Sequence, residues 1–402
     1  MLKLREMKRI FTFIAAAVAT LSVSAQYYQD AVNPEMLHME HPRSTTRKEF
    51  YAPSVDGYTA YKADLHTHTI FSDGHLTMQA RVREAWADGL DVIAVTEHLE
   101  YRPHEKDFVK YLKGYVGKDA KARAYDFVSK PCPAKEDIAV DFNVPVELAR
   151  KTAKNYDMTI IPGIEVTRKP DEYCHFNALF TTDNNAIFDA DPMQSLRNAK
   201  AQGALVLHNH PGWLRKNLDM TKFEKAAYKE GLIDGIEIMN GSEFYPKALT
   251  RAWKYNFFVS SNTDIHQPSA ERYERYGARR NMTLIFAKDK SLESLREAID
   301  ARRTLAYSYG TLAGSEELLR KFFKASIEVR EISVDKKGRR QIIVTNHSSV
   351  DWWLAREGKK TEMLEANSSI ILVESSSTDN TFTLLNTWCG EDKHLQYNLF
   401  EK

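Results

Sequence analysis

The sequence predicts an α/β fold, with a closed barrel followed by a small β-sandwich. Strand-like and helix-like runs alternate from about residue 61 to about residue 307. Clusters of histidine and carboxylate residues fall mostly at the ends of the predicted strands. After about residue 315, short strands separated by polar turns follow one another, as in a β-sandwich.

Repeated strand–helix units are typical of a parallel sheet. About seven or eight units over some 240 residues fit a closed barrel better than an open sheet. Proline in the first turn supports two of the helix starts, at Asp191-Pro192 and Tyr245-Pro246. The predicted strands span 61–66, 91–95, 158–164, 175–180, 204–207, 235–239, 257–260 and 282–287. The predicted helices span 78–88, 146–156, 192–202, 222–230, 246–255 and 292–303.

Two segments do not follow this alternation of strands and helices. Residues 101–145, rich in tyrosine, directly follow a histidine cluster, and we interpret them as an insertion at the rim of the site that forms a lid or substrate wall. The alternative is a solvated loop packed elsewhere. Residues 315–402 form the predicted sandwich, in which Trp352 and Trp353 are expected to pack in the core and at the edge rather than bind sugar.

The N-terminus has the pattern of a secretory signal. Four basic residues precede an apolar stretch at 10–23, and Val23-Ser24-Ala25 is a small-residue cleavage site. An uncleaved anchor is disfavoured because the apolar stretch is short for a membrane span. We therefore expect a signal peptide at 1–25, an extended lead-in at 26–58, no membrane span after cleavage, and a periplasmic or secreted protein.

Composition narrows the functional classes. The 402 residues carry a formal net charge of +1, which provides no basic surface for long nucleic acid or for an anionic membrane. The three cysteines, Cys132, Cys174 and Cys389, are too few and too far apart for a disulfide framework or a cysteine zinc motif. A buried structural thiol is the expected role of Cys174.

Nine of the thirteen histidines lie between His66 and His266, in short clusters with carboxylates. Imidazole and carboxylate together are the ligands of Zn, Fe or Mn. Because functional groups gather at the C-terminal ends of barrel strands, these clusters can converge on one site. His66 and His68, two apart on a predicted strand, point the same way. The sequence thus predicts a site for more than one metal ion, and a hydrolase.

The clusters lie in the stretches Asp64-Leu65-His66-Thr67-His68-Thr69, Phe71-Ser72-Asp73-Gly74, Thr96-Glu97-His98, Gly163-Ile164-Glu165, His175-Phe176-Asn177, His210-Pro211 and Asp264-Ile265-His266. In this order they resemble the PHP family, the polymerase and histidinol phosphatase superfamily, from about residue 61 to residue 307. The family commonly has Asp where this chain has Glu97, which precedes a ligand.

The resemblance implies a distorted (β/α)7 barrel over residues 59–312 that holds three divalent metal ions, Mn, Zn or Fe. One ion would take His66, His68 and Asp264. A second would take His175 and His210, and Glu165 would bridge the two. A third would take Asp73, His98 and His266. His208 is expected to be a hydrogen-bonding partner of the site rather than a ligand.

The expected reaction is hydrolysis of a small-molecule phosphomonoester by a hydroxide held between two metal ions. Asp264 or His266 would help to protonate the leaving oxygen. Arg168, Lys169 and Arg215 are candidate phosphate-binding residues, with surface charge as the alternative for each. Glu237 and Asn240 would support the site or pair within the barrel.

Three other functions stay open: a phosphodiesterase or nuclease using the same site, hydrolysis of a non-phosphate bond, and a non-catalytic binding protein that uses the sandwich.

Overall fold

Within the described residues of this computed structural model, a twelve-stranded mixed sheet forms the body of the fold. Those residues are 46–104, 125–126, 140–169, 172–375 and 380–400. The expected signal peptide, most of the lead-in and most of the insertion at 101–145 lie outside them. The strands of the sheet are β1 (Thr59–Asp64), β2 (Val92–Val95), β5 (Thr159–Thr167), β6 (His175–Leu179), β7 (Leu205–His208), β8 (Gly235–Asn240), β9 (Glu243–Phe244), β10 (Phe258–Asn262), β11 (Met282–Ala287), β12 (Thr304–Ser308), β13 (Thr311–Ala313) and β20 (Thr387–Trp388). The sheet order is β10-β8-β7-β6-β5-β2-β1-β11-β12-β13-β20, with β9 beside β8.

Helices connect these strands at the predicted positions. Thr77 begins the first helix by accepting a hydrogen bond from the backbone N–H of Ala80, and Asp191 caps the third helix in the same way. The helices are α1 (Met78–Ala87), α2 (Val144–Ala153), α3 (Pro192–Ala201), α4 (Lys222–Lys229), α5 (Lys247–Tyr255), α6 (Ser269–Arg272), α7 (Leu292–Asp300) and α8 (Glu316–Ser326). Among the helices that the structure describes, none has both the length and the apolar composition required to cross a membrane.

The sheet is curled and buried on both faces. In β2, Val92 and Ala94 belong to one apolar cluster, whereas Ile93 and Val95 belong to another. Successive strand residues point to opposite faces, so the first pair packs on one side and the second pair on the other. Each Val or Ile side chain among them contributes roughly 1.5–3 kcal/mol when fully buried. An isolated bridge between Thr67 and Ile265 brings the end of β1 to the segment that follows β10.

The expectation of a parallel sheet is correct in part. β1, β2 and β5 are parallel, and so are β7, β8 and β10. It is wrong for β6, which runs antiparallel to both neighbours, and for β11, which runs antiparallel to β1. Only residues 168–174 separate β5 from β6, too few for the crossover that a parallel pair requires. The count of seven strand–helix units stays a prediction.

The C-terminal region contains further β-sheets and one helix that the sequence pattern did not predict. Helix α8 precedes a three-stranded sheet and a four-stranded sheet. Trp352 is fully buried against the rings of Phe322 and Phe323, whereas Trp353 is 48% exposed. Because β20 pairs with β13, this region also adds a strand to the main sheet. The strands are β14 (Ile327–Val334), β15 (Arg339–Asn346), β16 (Trp352–Ala355), β17 (Glu362–Leu364), β18 (Ser369–Ser375), β19 (Thr381–Leu384) and β21 (Leu395–Asn398); a separate pair joins β3 (Tyr101–Arg102) and β4 (Tyr125–Asp126).

Candidate metal centre

Nine predicted metal ligands lie together at one end of the curled sheet. They come from the segments that follow β1, β2, β7 and β10, from within β5, and from the first residue of β6. The nine are His66, His68, Asp73, His98, Glu165, His175, His210, Asp264 and His266.

The end of β1 and the start of β6 set three of these positions. β1 ends at Asp64, so His66 and His68 follow the strand rather than lie on it as expected. Their rings nevertheless lie 5.1 Å apart. His175 begins β6, and because β6 is reversed relative to β5, its start faces the same end as the finishes of the parallel strands.

Two carboxylates, the buried one of Glu165 and the half-buried one of Asp264, lie among the imidazoles. Nε2 of His66 is 3.4 Å from Oε1 of Glu165 and 3.2 Å from Oδ1 of Asp264. Nε2 of His68 is 3.5 Å from Oε2 of Glu165 and 3.1 Å from Oδ1 of Asp264. On the other side, Nδ1 of His175 lies 3.2 Å from Oε1 of Glu165, and Nε2 of His210 lies 3.8 Å from it. Glu165 therefore stands between two groups of histidines, as a bridging ligand would.

Asp73 forms a third group. Its Oδ1 lies 3.3 Å from Nε2 of His98 and 3.1 Å from Nε2 of His266. Nδ1 of His68 is 4.0 Å from the same oxygen. These four side chains place one potential ligand atom each within 4.8 Å of one another.

Backbone strain accompanies the convergence. His210 has φ = 21° and Asp264 has φ = 49°, the left-handed region that residues other than glycine rarely adopt. Such strain persists where the surrounding structure imposes it, and it clusters at functional sites.

Hydrogen bonds fix how the rings face the centre. Nδ1 of His66 donates to Oε1 of Glu237 at 2.9 Å, and Nε2 of His175 donates to the backbone oxygen of Arg168 at 3.0 Å. Asn209 donates to Oε1 of Glu165 at 2.8 Å. In each ring the other nitrogen faces Glu165, which is the arrangement of metal-ligating histidines.

The electrostatics of the cluster are those of a site built for cations. Burial would raise the pKa of Glu165, but the imidazoles of His98, His66 and His175 outweigh it and hold that pKa well below its usual range. The pKa of Asp264 is lowered in the same way, against burial, by His66 and His68. Both carboxylates are thus ionised at neutral pH.

The imidazoles differ from one another. Burial alone would lower the pKa of His66, but Asp264, Glu237 and Glu165 hold it well above its ordinary value. Burial, with His98 and His266 nearby, lowers the pKa of His68 to about 3.

Divalent cations fit this cluster. Imidazole and carboxylate are the donor set of Zn, Fe and Mn. Buried polar atoms normally have hydrogen-bond partners. Five atoms of the cluster make no hydrogen bond of acceptable geometry among the described residues, although the ion-pair contacts above bring other atoms close to several of them: Nε2 of His66, Nε2 of His68, Oδ1 of Asp73, Oε2 of Glu165 and Nδ1 of His210. Bound cations would satisfy such atoms.

The three candidate phosphate-binding residues already have protein partners. Nε of Arg168 lies 2.9 Å from Glu100, and its Nη2 donates to the backbone oxygen of Asp189. Nζ of Lys169 lies 3.0 Å from Glu172 at the surface. Arg215 pairs with the buried carboxylate of Glu224 at 2.5 Å. Their phosphate-binding role stays a prediction.

His208 points away from the centre into a second buried cluster. Its Nδ1 is 2.6 Å from the hydroxyl of Tyr228, and its Nε2 lies 3.0 Å from Sγ of Cys174 and 3.1 Å from Glu224. Cys174 is buried, as expected, and burial raises the pKa of its thiol. Because Arg215 already neutralises Glu224, this cluster has its own charge balance.

An open cavity of about 910 Å³ adjoins the centre at Asp264 and His266. Apart from Asn240, no other residue of its wall was named from the sequence. Several of the other wall residues lie close in the chain to His210-Pro211 or Asp264-Ile265-His266, and this nearness could have identified them. The other wall residues are Trp213, Ser242, Glu243, Gln267, Glu271, Arg272, Tyr276 and Tyr309, with Asn240 beside them.

Known proteins share this architecture. The PHP domain family model matches residues 64–369. A two-domain protein of Bacteroides vulgatus that contains a predicted PHP-like metal-dependent phosphoesterase is 32% identical, with a TM-score of 0.75, over 89% of this chain and 99% of its own.

More distant structures also match. The lesion-specific endonuclease Q of Pyrococcus furiosus is 17% identical over 64% of this chain and 59% of its own, with a TM-score of 0.37. An amidohydrolase of Chromobacterium violaceum is 14% identical over 52% and 89%, with a TM-score of 0.34. These two are too distant to bear on function. No curated protein sequence matches the chain.

Proposed function

The chain belongs to the PHP domain family, and from this premise we propose that it hydrolyses a phosphomonoester of a small molecule. The observation that carries the proposal is the position of Glu165 and Asp264 among imidazoles, beside a cavity that admits a substrate. The similar Bacteroides vulgatus protein, named for a metal-dependent phosphoesterase, supports the reaction class. The preference for monoesters is part of the proposal.

The proposed centre holds three divalent ions, for which Mn, Zn and Fe are all suitable. When bound, such ions stabilise negative charge on a phosphoryl group and lower the pKa of water. In this assignment His66, His68 and Asp264 would hold the first ion, His175 and His210 would hold the second, and Glu165 would bridge them. Asp73, His98 and His266 would hold the third.

The residues of the chain have three tasks in this proposal. Buried Glu237 and Asn209 keep His66 and Glu165 in orientation. The ring of Trp213 packs 5.2 Å from that of His210, and we assign to it the task of keeping water from that side of the centre. Asp264 and His266 line the cavity, where a proton must reach the leaving oxygen. We assign that transfer to the pair, in which ionised Asp264 first takes up the proton of the attacking water.

We also propose that the protein acts outside the cytoplasm, on a small phosphorylated substrate and not on long nucleic acid. The basic and apolar pattern of residues 3–25 and the net charge of +1 support this. N-terminal sequencing of the protein purified from a periplasmic fraction would test it. A chain that begins near Gln26 is expected, and an intact N-terminus in the cytoplasmic fraction would refute the proposed location.

The reaction is tested by phosphate release from a panel of phosphomonoesters, with Mn, Zn or Fe supplied in turn. His66→Ala should abolish release, whereas His347→Ala should retain it, because the His347 side chain is 54% exposed in the C-terminal region. A diester is included in the panel. Release only from the diester would replace the monoester proposal, and a metal-loaded protein that releases nothing would favour a non-phosphate substrate or a binding role.

A further inference from the structure

The wall of the cavity beside Asp264 is rich in exposed aromatic rings. Trp213 is 37% exposed, Tyr276 is 69% exposed and Tyr309 is 44% exposed. All three border the same space as Asp264 and His266. Three large rings that stay partly exposed around one opening are typical of a surface that binds an apolar ligand.

Each ring is placed by a different element. Trp213 packs against two predicted ligands, with ring centroids 5.4 Å from His175 and 5.2 Å from His210. Tyr276 ends the short 3-10 helix Glu274–Tyr276. The rings therefore converge from three separate segments around the cavity.

Tyr309 reaches the cavity from a hairpin turn. With Gly310 it forms the two-residue turn between β12 and β13, and both residues have positive φ (47° and 78°), as a tight turn between antiparallel strands requires. Its ring lies 6.1 Å from that of buried Tyr273. The turn thus fixes the position from which this side chain borders the cavity.

The charges on the wall restrict the ligand further. Outside the metal cluster, the cavity is lined by two carboxylates, Glu243 and Glu271, and by one guanidinium, that of Arg272. Arg272 is partly committed, because its Nη1 donates to the backbone oxygen of Thr263 at 2.8 Å. This balance does not favour a second anionic group far from the metal centre.

We infer that this cavity is the leaving-group pocket and that it selects phosphomonoesters of a ring-bearing alcohol without a second anionic group. The phosphate would lie at the Asp264 end, and the ring would contact Trp213, Tyr276 and Tyr309. The inference rests on the proposed phosphoesterase function, but the pocket can be tested separately from turnover. Stacked or edge-on contacts between aromatic rings contribute free energy beyond the buried area.

The test compares benzyl phosphate with butyl phosphate, whose alcohols are chemically similar leaving groups. In the metal-loaded protein, kcat/KM for benzyl phosphate should be about tenfold higher, a factor that corresponds to about 1.4 kcal/mol. Tyr276→Ala and Tyr309→Ala should each move the ratio toward one. A carboxylate in the para position of the benzyl ring should lower kcat/KM about threefold through repulsion.

Trp353→Ala is the matched control, since Trp353 is an exposed aromatic residue of the C-terminal sheet and does not border this cavity. It should leave the ratio unchanged. A ratio near one in an active enzyme, or a ratio that survives both tyrosine substitutions, would overturn the inference.

Binding separates this inference from the proposed reaction. Benzylphosphonate and butylphosphonate cannot be hydrolysed, and their affinities for the metal-loaded protein are measurable by calorimetry. If no ester releases phosphate but benzylphosphonate binds about tenfold more tightly, the reaction is wrong and the pocket stands. If the two phosphonates bind equally, or neither binds, the pocket assignment is wrong.

Discussion

Glu237 holds His66 through a 2.9 Å hydrogen bond between two fully buried side chains, at Oε1 and Nδ1. Its other oxygen accepts from the backbone N–H of His210 at 2.6 Å. An ionised carboxylate only accepts hydrogen bonds, so Nδ1 carries a proton, and in a neutral, metal-bound ring the Nε2 lone pair of His66 would face the centre. One carboxylate thus orients two predicted ligands without lining the cavity.

Glu237→Gln should therefore weaken metal binding. Loss of such an orienting partner typically lowers metal affinity 10–100-fold. Calorimetric titration of the metal-free protein with Zn or Mn measures the change directly. Glu357→Gln, at an exposed position, is the control and should bind metal as the unmodified protein does. Equal affinity in both variants would show that Glu237 has no orienting role.

Asp73 is the carboxylate that is specific to the proposed third ion. It belongs to the group that contains His98 and His266, and it lies outside the groups built on Glu165. Asp73→Ala should reduce the bound metal from three ions per chain to two, as counted by elemental analysis after dialysis. The exposed Asp392→Ala variant should keep all three. A protein that holds only two ions before substitution would contradict the assignment of three.

Arg81 links the loop after β1 to the loop after β10, and both loops carry predicted metal ligands. Its guanidinium is fully buried and pairs with Glu84 at 2.5 Å. Arg81→Met should destabilise the fold by roughly 3 kcal/mol, because it leaves buried acceptors and a carboxylate unpaired. The acceptors are the backbone oxygens of His68, Ile265, His266 and Gln267, at 3.1–3.2 Å.

Urea denaturation of Arg81→Met and of Arg83→Met gives the comparison. Arg83 lies on the same helix but is exposed, so its substitution should change the free energy of unfolding by no more than about 0.5 kcal/mol. Similar unfolding curves for the two variants would show that the Arg81 hydrogen bonds between the two loops do not stabilise the fold.

Glu224 should make stability depend on pH. Burial would raise its pKa, but His208 and Arg215 outweigh it and hold the pKa well below the usual range. A carboxyl group whose pKa is lowered on folding contributes stability above its unfolded pKa, about 4.3, and loses it as the pH falls toward the folded pKa. Glu224→Gln should thus be less stable by roughly 3 kcal/mol at neutral pH.

That deficit should shrink as the pH falls below about 4.3, because the unmodified protein then loses the contribution that the variant lacks. Denaturant unfolding between about pH 7 and about pH 3.5 follows both proteins. A deficit that is the same at every pH would mean that packing, and not charge, explains it.

Trp352 and Trp353 should differ strongly in their effect on stability. Trp352 is fully buried, with its ring 4.9 Å from that of Phe323, so Trp352→Ala should cost about 3–5 kcal/mol. Trp353→Ala should change the free energy of unfolding by about 0.5 kcal/mol or less. Thermal unfolding of both variants provides the measurement, and equal shifts would contradict the packing described for this region.

Much of this arrangement follows from local pattern. Helix starts such as Asp191-Pro192 and the strand Met282–Ala287 are set by capping residues and by runs of apolar residues, and both occur at the predicted positions. Helix α8 was not predicted, although the helical spacing of Leu318, Leu319, Phe322 and Phe323 after the Ser315 cap is a local signal for it.

The sequence by itself determined the α/β class, the histidine and carboxylate clusters, and the resemblance that ordered them into a ligand set. Only the tertiary structure decided that β6 is reversed, which brings His175 to the ligand end. It also decided that Glu237 faces His66, that Arg215 is paired with Glu224, and that Tyr309 borders the cavity. The physical reason is distance along the chain. Periodicity and capping act within a few residues, whereas a buried charge takes its partner from whichever strand packs beside it.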